Sequence, residues 1–188
     1  METPKEQQDE TKASGSFRDR WRQMAVFLVG AVVVALYFGG YLHMPDPLQG
    51  KPAKAFSLSS LDGGEVNLAN HIGKDVVLLD FWAVWCPPCR KSIPALADIA
   101  GEFAPKGLVV YAVNQQDTPE RVNSFLKSEN ITVPVLMDPE SVAGDLYGVS
   151  SIPKIVLIDR TGTIVFTHGG YGPGAGGTIR RAVDKALQ

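Results

Sequence analysis

An almost wholly apolar run, Val76-Val77-Leu78-Leu79-Asp80-Phe81, leads within a few residues into Trp85-Cys86-Pro87-Pro88-Cys89, which holds both cysteines of the chain. Such a run predicts a central strand buried on both faces. A strand that ends by presenting a cysteine at the start of a helix sets the sulfur beside unpaired backbone N–H groups and the positive end of the helix dipole. Both favour thiolate over thiol. Cys89 follows about one helical turn later, so the two sulfurs can close a disulfide or open to a dithiol.

Other uses of a C-x-x-C pair fit less well. Structural zinc normally takes four protein ligands, and beyond this pair the chain offers only His43, His71 and His168 as histidine donors. No metal site is expected. Covalent haem attachment needs histidine directly after the second cysteine, where Arg90 stands. As a staple, a disulfide closing so short a loop removes little entropy from the unfolded chain. The expectation is redox chemistry by the Cys86–Cys89 pair itself, with no added cofactor.

With 188 residues and a formal net charge of -2, the chain can hold one domain with a proper core plus further segments, and nothing in its charge points to nucleic acid. Residues 1–23 are polar and mixed in charge, which predicts a disordered cytoplasmic tail. Residues 24–42 carry no charge at all. As a helix they nearly match the hydrocarbon core of a bilayer, so 24–44 are expected to be an uncleaved signal anchor in the lipid bilayer. A buried core helix would show a polar face, and a cleaved signal peptide would end in small residues rather than beside Tyr37, Phe38 and Tyr41.

Arg18, Arg20 and Arg22 precede the span, and Asp46 is the first formal charge after it. The positive-inside tendency then keeps the N-terminus cytoplasmic and exports the rest. The expected location is the inner membrane, single-pass, with the remaining domain periplasmic, where disulfides persist.

Residues 45–54 contain three prolines and read as a linker that lifts a domain at 55–188 off the bilayer. Segments at 55–58 and 66–68 flank the turn signal Leu61-Asp62-Gly63-Gly64, predicting a hairpin. A helix is expected from Cys86 to about Phe103, kinked at Pro94, then a strand at 108–113. Thr118 and Pro119 open a helix as N-cap and first helical residue. A short strand at 133–137, a short helix at 142–147, a hairpin at 155–167 and a helix at 178–187 follow. The Gly-rich stretch 169–177 lacks the Lys-Ser/Thr of a phosphate loop and reads as a flexible connector. Strands alternating with helices, then a hairpin and a helix, indicate an α/β fold with a mixed central sheet covered on both faces.

The stretch Asp80-Phe81-Trp82-Ala83-Val84-Trp85-Cys86-Pro87-Pro88-Cys89-Arg90, followed much later by Ile152-Pro153, resembles thioredoxin. The anchor, the N-terminal hairpin and an added helix and strand between Val113 and Pro153 resemble the TlpA/ResA-like group of anchored extracytoplasmic thioredoxins. The resemblance implies a thioredoxin fold from about Lys51 onward, with an inserted helix-strand element. It implies that Cys86 attacks a partner disulfide and Cys89 resolves the mixed disulfide. Trp85, with Pro87 and Pro88, would border the reactive sulfur. Pro153 would be a cis proline leaving the Ile152 backbone free to pair with an extended substrate; an ordinary trans proline at a strand start is the alternative. Asp80 would be a buried carboxylate that takes the proton from Cys89, unless it merely meets solvent at a strand end.

Three positions depart from the pattern. Ser92 stands where many ResA-like proteins have glutamate, Ala112 where thioredoxin faces the aspartate with lysine, and Lys154 where thioredoxin usually has threonine. Lys154 reads as a change in the partner surface. The resemblance implies an oxidoreductase acting on protein thiols and disulfides, most directly a reductant in cytochrome c maturation or copper-site assembly. Apocytochrome c or copper-site proteins would be its substrates and a membrane carrier of the DsbD/CcdA type its electron donor. Two other classes stay open: a peroxiredoxin-type peroxidase, which would need threonine or serine where Ala83 stands, and a Cu(I) carrier using the two sulfurs.

Overall fold

Val76–Trp82 is buried at every position, and the sheet is assembled around it. The computed structural model describes residues 6–41 and 46–188, which fall into two units divided between Pro45 and Asp46. The first contains α1 (Glu6–Tyr41). Within it, Arg20–Tyr37 is long and apolar enough to cross a membrane, with a mean hydropathy of 1.3 and none of it buried.

Here the expected tail needs correction. The helix starts at Glu6, not near Met24, so residues 6–23 are helical. Extending an existing helix is far easier than nucleating one, and Glu, Gln, Lys, Arg and Met are good helix formers. Residues 1–5 of that tail and 42–45, where the span was expected to end and the linker to begin, lie outside the described residues.

The second unit runs β1 (Ser57–Ser60), β2 (Glu65–Asn67), β3 (Val76–Trp82), α2 (Pro87–Phe103), β4 (Leu108–Gln115), α3 (Pro119–Ser128), β5 (Val135–Asp138), α4 (Val142–Leu146), β6 (Lys154–Ile158), β7 (Ile164–Gly169) and α5 (Ala175–Leu187). One mixed sheet holds the strands in the order β2-β1-β5-β4-β3-β6-β7. β3, β4 and β5 are parallel to one another, whereas β6 runs antiparallel to β3. Strand alternation divides the core. Val76, Leu78 and Trp82 face a cluster with Ile93, Leu96 and Ile99 of α2 and Ile179 and Val183 of α5. Val77, Leu79 and Phe81 face the opposite cluster, with Leu68, Ala143 and Tyr147.

Most local signals act as expected. The first hairpin pairs Leu58 with Val66, and Thr118 caps α3 by accepting from the Arg121 N–H. α2 continues through Pro94.

Two expectations do not hold. The proline-bearing segment is no free linker, and the domain begins at Asp46 rather than Ala55. The Gly50 N–H donates to the Ile164 carbonyl, the Ile164 N–H to the Lys51 carbonyl and the Ala53 N–H to the Gly162 carbonyl. These bonds pair both backbone groups of Ile164, the first residue of the edge strand β7, and the Gly162 carbonyl just before it; Pro47 and Pro52 leave them intact because other residues supply the donors. The Gly-rich connector is also shorter than expected: α5 already begins at Ala175, with Gly174 as its left-handed N-cap at φ 82°. A Cβ on Gly176 would lie 3.0 Å from the Tyr171 hydroxyl, so a close approach explains this glycine inside the first turn.

Because Leu78 is fully buried on the central strand, Leu78→Ala should cost about 2–5 kcal/mol of stability through the cavity left behind. Urea unfolding with an unchanged slope would register that loss as a lower midpoint.

Candidate active site

β3 delivers the chain to the carboxyl end of the sheet, where a turn closed by the Cys86 N–H donating to the Ala83 carbonyl leads into α2. Cys86 is the N-cap of that helix, and its sulfur accepts the Cys89 N–H at 3.3 Å. The two cysteines are joined in a disulfide, with Cα atoms 5.2 Å apart. Pro87 and Pro88 occupy the first helical positions, where no N–H is needed and the fixed φ suits the helix. A little Cys86 surface reaches solvent, 3% of the residue, whereas Cys89 is fully buried.

The peptide bond between Ile152 and Pro153 is cis. It sits across from the pair, with the Ile152 carbonyl oxygen 3.7 Å from Cys86 Sγ. A groove of about 420 Å³ opens here, lined by Trp85, Cys86, Pro87, Pro88 and Ile152 together with Gln115, Gln116 and Ser141. None of its lining residues is charged. Trp85 is about half exposed, at 52%. All the residues singled out around the cysteines thus meet in one place, except that Pro153 itself is buried and reaches the groove through Ile152.

Asp80 lies inside, with no exposed surface. Its neighbour across β4 is Ala112, so the missing lysine is confirmed by register. Ser92 donates to Asp80 Oδ2 at 3.2 Å, and Oδ1 has no partner. Burial pushes the carboxyl from 3.8 up to about 8, against the smaller opposing pull of the Ser92 hydrogen bond. It is therefore a buried acid rather than a carboxylate meeting solvent.

Lys154 does not face the partner. Its ammonium group lies 3.1 Å from Asp46 Oδ2, and only 12% of its side chain is exposed. It also donates to the Tyr147 and Gly148 carbonyls. The side chain leaves β6 on the face opposite Ile155, so it anchors the start of the domain instead.

Asp117 had no motif to announce it. Its Oδ2 accepts the Val84 N–H at 2.6 Å and the Asn114 amide at 3.1 Å, and Arg121 lies 3.3 Å from its other oxygen. It clamps the loop that presents Trp85 and Cys86, from 33 residues away. The available hint was its place just beyond a parallel strand, where sites in α/β sheets gather. Asp138 does similar work for the far wall of the groove, accepting from Gln115 at 2.7 Å and from the Gly144 N–H at 2.9 Å.

Asp117→Ala should lower stability by about 1–3 kcal/mol, the cost of leaving a buried donor unpaired. Thermal melting should show Asp117→Asn, which keeps an acceptor for Val84, losing less. For Asp80 the folded protein retains a proton that the unfolded chain releases above 3.8. Its contribution to stability is therefore complete below that value and declines as pH rises to about 8. Asp80→Asn, which cannot ionise, should gain on the parent across that window. Melting temperatures measured through it would show the gap widening with pH.

Comparison with known proteins agrees with this geometry. The AhpC/TSA family profile matches residues 49–167. The thiol-disulfide oxidoreductase ResA of Bacillus thuringiensis subsp. konkukian is 31% identical over 140 residues, covering 74% of this chain and 80% of that protein. The thioredoxin-like protein YneN of Bacillus subtilis is 38% identical over 125 residues, covering 65% and 72%. A thiol:disulfide interchange protein of the thioredoxin family from Chlorobium tepidum superposes with a TM-score of 0.62 at 28% identity, over 76% of this chain and all of that one. With its thioredoxin-like fold and its close cysteine pair at a helix N-terminus, the chain belongs to the AhpC/TSA family, among the ResA/TlpA-like thiol-disulfide oxidoreductases.

Proposed function

We propose that this thiol-disulfide oxidoreductase is a membrane-anchored reductant that works outside the cytoplasm on protein disulfides, with apocytochrome c or copper-site cysteines as its substrate class. The observation that carries the reading is the inequality of the two sulfurs: Cys86 at the groove floor beside the Ile152 carbonyl, Cys89 sealed behind it. An incoming disulfide can reach only the first.

In the reduced protein, the Cys86 thiolate is held by the Cys89 N–H and the dipole of α2. It attacks one sulfur of the substrate disulfide, forming a mixed disulfide and releasing the other sulfur as thiolate. Cys89, having lost its proton, then attacks Cys86 Sγ. The internal disulfide forms, the bond to substrate breaks, and the second substrate sulfur leaves with its electron pair. Two electrons pass from the dithiol to the substrate. Asp80, whose burial pushes its carboxyl up to about 8, receives the Cys89 proton only in its ionised form, which has to be present before resolution. Ile152 would pair with an extended substrate segment through its backbone, and Trp85, Pro87 and Pro88 would border that segment.

The apolar stretch Arg20–Tyr37 supports an anchor, and the arginines before it support a cytoplasmic N-terminus. A reductant in an oxidising compartment needs electrons from across the membrane, which favours a carrier of the DsbD/CcdA type as donor.

Cys89→Ala should arrest the cycle with Cys86 still joined to its partner, so that the trapped protein can be isolated from intact cells and identified. An empty trap would argue against a dedicated protein substrate. A reduction potential like that of the oxidant DsbA, about −120 mV, would reverse the proposed direction.

A further inference from the structure

Ser92 takes no part in the thiol chemistry above, yet its hydroxyl stands between two groups that do. Its Oγ lies 3.2 Å from Asp80 Oδ2 and 3.0 Å from the Cys89 carbonyl oxygen, and Ser92 is 2% exposed. A serine hydroxyl carries one proton, so it cannot donate to both acceptors at once. When Asp80 is neutral, its own O–H can donate to Ser92 Oγ, and Ser92 donates onward to the Cys89 carbonyl. When Asp80 is ionised, the Ser92 proton must turn to the carboxylate, and the Cys89 carbonyl loses that donor.

Among the described residues, Ser92 gives the one side-chain hydrogen bond to the Asp80 carboxyl. Asp80 Oδ1 has no partner. Opposite Asp80, β4 offers Ala112 and β6 offers Ile155. The neighbouring Tyr111 and Lys154 point to the other face, toward His71 and Asp46. Arg90 and Lys91 of α2 are exposed, and α5 turns Ile179 and Val183 inward. On this face Asp117, beyond β4, pairs with Arg121 of α3 and Tyr171 packs against the same cluster, but the one side-chain contact of the Asp80 carboxyl among the described residues is Ser92.

We propose that Ser92 is a positioning residue for the resolving step: its rotating hydroxyl supplies the hydrogen bond that lets buried Asp80 become an anion, and links that change to the helical turn carrying Cys89. This rests on the reading of Asp80 as the acceptor of the Cys89 proton. It assigns a use to the serine that stands where related proteins carry an acid. The proton balance is simple. Asp80 enters the step as the anion to which Ser92 donates; Cys89 loses a proton and Asp80 gains it, while Ser92 keeps one proton throughout and turns from the carboxylate to the Cys89 carbonyl.

Stopped-flow reaction of the reduced full-length protein with Ellman's reagent separates the two steps, because the aromatic thiolate is released once when Cys86 attacks and once when Cys89 resolves. Ser92→Ala should move the pH midpoint of the second phase upward by about one to two units, the effect expected from losing a hydrogen bond to a charged group. The first phase should change by less than about twofold, since the Cys86 sulfur keeps its own N–H donor. Ser92→Thr, which retains the hydroxyl, should restore the midpoint, and Ser92→Ala should add nothing in an Asp80→Asn background. An unchanged midpoint in Ser92→Ala, or an equal shift without Asp80, overturns the proposal while leaving Asp80 as the acceptor. A second-phase profile unaffected by Asp80→Asn alone overturns both. Carbon-13 NMR titration of the Asp80 carboxyl reads the same midpoint without turnover, and a midpoint that is the same in Ser92→Thr and Ser92→Cys, a weak donor, would also overturn it.

Discussion

The constraint on which the site depends is the complete burial of β3. A strand covered on both faces has no freedom to slip, since a shift of one residue would exchange the contents of the two cores. Its register against β4 and β6 fixes where its carboxyl end emerges, and with it the start of α2. The helix can then aim the Cys89 N–H at the Cys86 sulfur. The same immobility makes Asp80 tolerable: a carboxyl set in the middle of such a strand has nowhere to reach water, so it stays protonated until rising pH ionises it.

Around that fixed end, the groove is assembled from parts remote in sequence. Val84 is tied to Asp117, and Gln115 to Asp138, so the loop after β3 is held to the loop after β4, and the end of β4 to the end of β5, by buried carboxyl acceptors. The groove walls are neutral amides, hydroxyls, proline rings and the apolar side chains of Trp85, Val149 and Ile152. Charge is placed behind the surface, where it sets geometry, and withheld from the surface, where it would select partners by their own charge.

What could be read in the sequence was whatever had a local cause. The strand at 76–82 follows from its own side chains, the α3 start from Thr118 and Pro119, and the redox pair from the spacing of Cys86 and Cys89. The unequal exposure of those cysteines and the place of Ile152 beside them were available through resemblance. What escaped depended on pairing between distant segments. Proline content made 45–54 look like a linker, because composition does not say that Gly50, Lys51 and Ala53 will find the edge of β7. Lys154 looked like a surface change because its acceptor, Asp46, lies more than a hundred residues away. Ser92 and Asp117 are ordinary polar residues until the fold supplies their neighbours. The helicity of 6–23 escaped for the opposite reason, since it is inherited from the apolar helix that follows.

The strap formed by Gly50, Lys51 and Ala53 also determines where a soluble fragment of this protein can begin. A cut at Ala55, the expected start of the domain, would leave the N–H and C=O of Ile164, at the start of the edge strand β7, without the partners that Lys51 and Gly50 supply. It would also remove Asp46 and leave the Lys154 ammonium group without its counter-ion. A cut just before Asp46 keeps those bonds and the ion pair whole. The short proline-bearing segment that seems made for spacing is thus a structural part of the domain, and a fragment without it is not the same folded unit.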